Sequence, residues 1–330
     1  MKKLLALMLA LGMTVSLAAC GGSTDSADTT ASESETTEES TDAAETEETA
    51  DAAEASGDGS YVIGICQLVQ HEALDAATQG FKDAVTEALG AENVTFDEQN
   101  ASNDSATCAT IINQFVSNNV DLILANATAP LQAAAQGTDT IPVLGTSVTE
   151  YGVALDIDNF DGLVGTNVSG TSDLAPLDQQ AAMLQELFPD AETVGLLYCS
   201  AEANSQYQVD TVQGYLEEMG YTCTQYSFSD SNDLAAVATT AAQESDVIYV
   251  PTDNTVASNT EIIRNICEPA QVPIIAGEEG ICSGCGVATL SISYYDLGVA
   301  TGNMAVQVLT GEADISEVPI EYAPEFTKKY

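Results

Sequence analysis

Positive charge is what this sequence has least of: six lysines and arginines stand against 51 aspartates and glutamates in 330 residues. Lys2, Lys3, Lys328 and Lys329 lie at the ends, which leaves Lys82 and Arg264 as the bases of the body. A nucleic-acid partner needs a basic face to neutralise its phosphates, and two isolated bases cannot make one. An anionic membrane surface would repel such a body. Tryptophan is absent, and His71 is the single histidine. There is no histidine cluster, glycine-rich phosphate loop or nucleophile elbow, so neither enzyme activity nor a cofactor is expected. No apolar run reaches the ~20 residues that span a bilayer core.

The longest apolar run, Leu4 to Leu17, follows the positive start Met1, Lys2, Lys3 and has the proportions of a secretory signal. It ends in Leu17, Ala18, Ala19, Cys20, which resembles the lipobox of bacterial lipoproteins, where the cysteine is acylated. Residues 21–59 are Gly, Ser, Thr, Ala, Asp and Glu alone. Such a segment buries too little apolar surface to offset its ordering entropy, and its carboxylates repel one another into an extended tether. Residues 1–19 are therefore expected to be a signal peptide, and 20–59 an acylated Cys20 with its acidic tether. One acyl chain holds a membrane only marginally, so stable anchoring implies more than one. The expected location is the extracellular face of the cytoplasmic membrane.

From Tyr61 onward the composition is that of a folded body of about 270 residues, larger than one ordinary core holds. The body repeats itself in order. Tyr61 to Gln67 and Thr193 to Cys199 are β-rich runs, each followed by a polar loop and a helical pattern. Leu74, Ala77, Phe81, Val85 and Ala88 make the first apolar stripe, and Val209, Val212, Leu216 and Met219 the second. Val120 to Leu124 is answered by Asp246 to Val250, and Ile141 to Val143 by Val272 to Ile274. Ser102 to Asp104 and Ser231 to Asp233 read as helix N-caps. Strand–helix alternation made twice predicts two doubly wound parallel-sheet α/β lobes built from right-handed βαβ units.

Ligands of such sheets sit outside the carboxyl ends of the strands. In the first half those ends carry Gln67 to His71, Asn126 to Thr128 and Gly145 to Thr149. In the second half they carry Ser200 to Ser205, Thr252 to Thr255 and Gly277 to Gly280. Facing lobes would hold these two sets across a cleft.

Gln67 to His71 before Ala73 to Ala76, then Gly170 to Asp173, Ser200 to Ser205, Pro251 to Val256 and Gly277 to Gly280, resemble the ABC-transporter substrate-binding family that includes tryptophan and phenylalanine binders. The likeness runs from about Tyr61 to Pro319. It implies the periplasmic-binding-protein type 1 fold, with crossovers at Gly170 to Asp173 and near Ser291 to Tyr295. The implied first lobe is 60–170 plus about 291–312, and the second 171–290 plus about 313–330. It further implies an extracytoplasmic lipoprotein of an ABC importer that binds an aromatic amino acid, works as a monomer and serves permease and ATPase subunits. Another small solute (a branched-chain amino acid or a sugar) and a sensor on the same fold stay open. Where the family often has an aspartate, this chain has Glu278.

The candidate ligand contacts are Gln67, His71, Thr128, Ser147, Thr149, Ser172, Asp173, Ser200, Glu202, Asn204, Ser205, Asp253, Asn254 and Glu279. His71 could equally cap a helix, and Ser200 to Ser205 could be caps at a helix start that also suits an anion. With no base near the strand ends, a bound carboxylate would be met by N–H and hydroxyl groups, and an ammonium by Asp253 first or Glu279 second. Seven cysteines follow Cys20. Cys66, Cys199 and Cys223 read as small hydrophobes, and Cys282 with Cys285 as a local disulfide or two inert thiols, with no metal expected.

Overall fold

A computed structural model describes residues 60–323 and 325–330. The signal segment, Cys20 and the tether lie outside the described residues. The body opens with β1 (Tyr61–Gln67), α1 (Glu72–Leu89), β2 (Val94–Asn100), α2 (Ser105–Asn118), β3 (Leu122–Asn126), α3 (Thr128–Gly137), β4 (Val143–Val148), α4 (Tyr151–Leu155) and β5 (Val168–Ser172). It continues with α5 (Leu177–Leu187), β6 (Thr193–Cys199), α6 (Ala203–Glu218), β7 (Thr222–Phe228), α7 (Ser231–Glu244), β8 (Val247–Val250), α8 (Asn254–Ala257) and α9 (Thr260–Ala270). The last elements are β9 (Ile274–Ala276), α10 (Glu279–Cys285), β10 (Ala288–Ser291), α11 (Tyr294–Leu309), β11 (Glu321–Tyr322) and β12 (Thr327–Lys329).

Two six-stranded sheets result, ordered β11-β5-β4-β3-β1-β2 and β12-β10-β9-β8-β6-β7. Every pair is parallel except β10 with β12. The runs read as strands at Tyr61 to Gln67 and Thr193 to Cys199 coincide with β1 and β6. Both are central strands, buried over most of their length, as helix-covered parallel sheets require. On α1 the predicted stripe is buried at Leu74, Ala77, Phe81 and Val85, while Ala88 is exposed. Asp104 caps α2 by accepting from the Thr107 N–H at 2.6 Å, and α7 is capped by Asp230, one residue before the predicted segment.

The chain passes between the sheets three times: from β5 to α5, from β10 to α11, and from β11 to β12. This is the crossover pattern of the periplasmic-binding-protein type 1 fold. Residues 171–172 and 313–322, expected in the second lobe, belong with the first. β5 runs on to Ser172, and β11 pairs with it through Glu321 opposite Thr171. A two-residue edge strand has no periodicity to betray it. α11 also returns to the first lobe and packs on α1 so closely that a Cβ on Gly298 would lie 2.0 Å from the Ala77 carbonyl oxygen. Only glycine permits that approach.

Candidate functional site

The strand ends of the two sheets face each other across a narrow, nearly filled cavity of about 10 Å³. The first lobe gives it His71, Ala73, Leu74 and Ser147. The second gives Asn204, Thr252, Asp253, Asn254, Ala257 and Glu278, while Asp173 and Tyr294 come from the first two crossings. Its volume is room for about one water, far below the range of about 300–1,000 Å³ usual for small-molecule pockets, so the cleft is shut and must open to admit a ligand.

Among the described residues three side-chain hydrogen bonds span the lobes. His71 Nε2 lies 3.1 Å from Asn254 Oδ1, Asn103 Nδ2 donates to Thr255 Oγ1 at 2.9 Å, and Gln208 Nε2 donates to Thr149 Oγ1 at 3.5 Å. His71 is the residue before α1, but its side chain makes no capping bond and reaches across instead. Burial lowers its pKa by disfavouring the imidazolium. Asn103, read as part of an N-cap, is one of the bridging residues.

Ser147 sits at φ 55°, in the left-handed region, where the β4–β5 register shifts between Gly145 and Val148. That conformation is strained for a serine, and such strain collects at ligand sites. It leaves the Ser147 hydroxyl buried without a partner. On Asp173, Oδ2 accepts from the Tyr294 hydroxyl at 2.9 Å, while Oδ1 is buried and unpartnered. Burial raises the Asp173 pKa, and the bond from Tyr294 works against that rise. Two orphaned polar atoms thus belong to residues of one cavity wall, each costing about 1–3 kcal/mol unless something meets it.

The other acids of the wall are satisfied from within. Asp253 accepts from the Cys199 N–H at 2.7 Å and from the Val256 N–H at 2.8 Å, so both oxygens are taken. Burial, and then the Glu202 charge, push its pKa up to about 8. Glu278 caps α10 through the N–H groups of Gly280 and Ile281, and burial pushes it up to about 7. Glu202 takes the N–H and amide of Asn254 and the N–H and hydroxyl of Thr255, fixing α8 to the start of α6.

Of the predicted contacts, His71, Ser147, Asp173, Asn204, Asp253 and Asn254 line the cavity. Thr128, Glu202 and Asn204 line a second chamber of about 90 Å³ between the lobes. Gln67 is held in the first lobe by bonds with Thr78, Asp75 and Val69. Thr149 and Ser172 brace the first crossing, the serine hydroxyl donating to the Thr149 carbonyl at 2.8 Å. Ser200 is exposed and donates to the Phe228 carbonyl, and Ser205 is fully buried. Glu279 does not line the cavity: it pairs with Lys329 in an adjoining groove, while its neighbour Glu278 lines both. Helix α10 starts between the two, so one residue of register turns Glu279 away from the cavity. Sequence reasoning did not pick Tyr294, Thr252 or Glu278 as contacts. Tyr294 could have been suspected from its place beside a crossover.

The seven described cysteines are all free thiols, Cys282 and Cys285 included. Burial pushes Cys285 up to about 12, which makes it inert at neutral pH.

Three comparisons bear on what the site serves. The family model of ABC transporter substrate binding proteins matches residues 62–328. A tyrosine-binding protein of Clostridioides difficile is 36% identical over 263 residues, covering 78% of this chain and 75% of that protein. Among solved structures, an ABC domain in complex with L-Trp from Streptococcus pneumoniae is 33% identical, with a TM-score of 0.76 over 81% of this chain and 91% of that one. The ligand-free, open structure of a Clostridium difficile substrate binding protein with adhesive properties is 37% identical over the same shares, yet its TM-score is 0.62. The better shape match is to the liganded structure although its sequence is less similar, in keeping with a shut cleft.

Proposed function

The chain belongs to the family of ABC transporter substrate-binding proteins, and we propose that it captures a free aromatic amino acid in the cleft between its lobes. The observation that carries this is the pair of unpartnered atoms, Ser147 Oγ and Asp173 Oδ1, in the wall of one cavity. An ammonium is a compact donor that can satisfy both, and a buried carboxylate without a cation is costly. Asp173 therefore replaces Asp253 as the acid assigned to the ammonium, because both Asp253 oxygens are already engaged. Among the described residues no lysine or arginine lines the cavity, so the ligand carboxylate is met by N–H and hydroxyl groups. Ala73, Leu74, Ala257 and Tyr294 offer apolar wall to a ring. A relative described as tyrosine-binding and a neighbour holding L-Trp support the aromatic choice.

The same reading makes the protein a monomeric binding protein without turnover, anchored through acylated Cys20 outside the cell and delivering its ligand to a permease and its ATPase. The signal-like first twenty residues and the family support this. Calorimetry against tyrosine, tryptophan, phenylalanine, leucine and galactose tests the ligand class. An aromatic amino acid should bind best, and Asp173→Asn should weaken it at least ~30-fold, since losing one partner of a buried charge pair costs about 2–5 kcal/mol. Tight sugar binding with no response to aromatic amino acids would overturn the reading.

A further inference from the structure

Asp173 and Tyr294 are 121 residues apart in sequence, and each stands at a passage between the lobes. Asp173 follows β5 at the first crossing. Tyr294 is the first residue of α11, just after the second. Both are buried, and the phenol donates to Asp173 Oδ2 at 2.9 Å. We propose that Tyr294 is a positioning residue for ligand capture: its hydroxyl holds the Asp173 carboxylate with one oxygen engaged and the other presented to the ligand's ammonium. The inference rests on the reading that the cleft takes an amino acid and adds to it a residue outside the set read from the sequence.

Two consequences follow from that single bond. A carboxylate can turn about its last torsion, and a buried donor on Oδ2 fixes which oxygen faces the cavity. A hydrogen bond to the ionised form also favours that form against burial, which otherwise favours the acid. The surroundings make this second effect matter. Asp173 is approached by the Thr149 hydroxyl from the loop after β4, by Tyr151 of α4 and by Glu278 at the start of α10. Glu72 of α1 lies beyond Glu278, and Asp253 and His71 share the cavity. None of these is a lysine or arginine, so hydroxyls stand in where a cation would otherwise hold the charge, with Tyr294 at hydrogen-bond distance and Thr149 beside it. The bond also ties the first crossing to the second, so the acid keeps its place on the first lobe as the second lobe swings.

The test is Tyr294→Phe, which removes one oxygen and keeps the ring, followed by calorimetry with tyrosine or tryptophan from pH 5.5 to 9. Affinity at pH 7 should fall about ten-fold and recover as the pH rises, because Asp173 without its donor ionises only at higher pH. Asp173→Asn should lose binding with no recovery at any pH. Unchanged affinity in Tyr294→Phe, or an equal loss at every pH, would overturn the positioning role. Failure of the unmutated protein to bind any aromatic amino acid would instead overturn the ligand reading. Should Tyr294→Phe fold poorly, the carbon-13 shift of the Asp173 carboxyl in the unmutated protein with ligand bound reports the same thing. An ionised group at pH 7 supports the role, and a protonated one overturns it.

Discussion

Asp173 follows β5 at the first crossing and Asp253 follows β8 in the second lobe, and the difference between their roles is made by hydrogen bonds. Position at a strand end marked Asp253 and the family resemblance marked Asp173, but no sequence pattern announces that Asp253 spends one oxygen on the Cys199 N–H and the other on capping α8. Its work is to lock β6 to β8's following turn. Asp253→Ala should therefore cost about 1 kcal/mol for the cap and about 1–3 kcal/mol for the Cys199 N–H left unpaired. In a body of this size that amounts to a fall in melting temperature of roughly 4–16 °C. Thermal unfolding with and without ligand checks it. A variant as stable as the parent but unable to bind would return Asp253 to the ammonium. Ser147 was legible as a strand-end hydroxyl, whereas its left-handed backbone and orphaned oxygen come from a register shift against β5 that depends on both strands.

Among elements, the central parallel strands were the readable part. β1 and β6 must be buried on both faces, so their sequences are runs of β-branched and apolar residues with polar loops behind them. β11 was not readable because two exposed residues carry no such demand, and assigning it to the wrong lobe misplaced the third crossing. The α1–α11 contact was equally silent. Its tightness depends on glycines facing backbone, with Gly80 meeting the Tyr295 carbonyl as Gly298 meets that of Ala77. Gly298→Ala puts a methyl where only 2.0 Å separates the Cβ position from a carbonyl oxygen, so the helices must part. Overpacking of this kind costs about 1–3 kcal/mol, and a drop of roughly 2–12 °C in melting temperature is expected. Because α11 begins with Tyr294, ligand affinity should fall as well. A Gly298→Ala protein with parental melting temperature would contradict the packing described.

For the whole molecule, the shut cleft gathers acids without gathering bases, and this links closure to pH. Asp173, Asp253 and Glu278 all have pKa values raised by burial, the last two up to about 8 and about 7. When the lobes part these groups meet water and return towards the ordinary carboxylate range near 4. Between about pH 4 and 8 the shut form thus binds more protons than the open one, so raising the pH opens the empty protein and lowering it favours closure. His71 works the other way below about 6.5, since burial lowers its pKa, but it is one group against three. A ligand ammonium supplies the missing positive charge and removes the reason for opening at high pH. The expected outcome is a radius of gyration that is larger at pH 8.5 than at pH 5.5 without ligand. At pH 8.5 saturating aromatic amino acid should bring it back to the compact value. Small-angle scattering at the two pH values, with and without tyrosine or tryptophan, makes the measurement. A radius that ignores pH and ligand alike would mean that the acids do not govern closure. A radius that responds to ligand but not to pH would mean that Asp173, Asp253 and Glu278 keep the same protonation in both forms, and the link proposed between their burial and the opening of the cleft would fall.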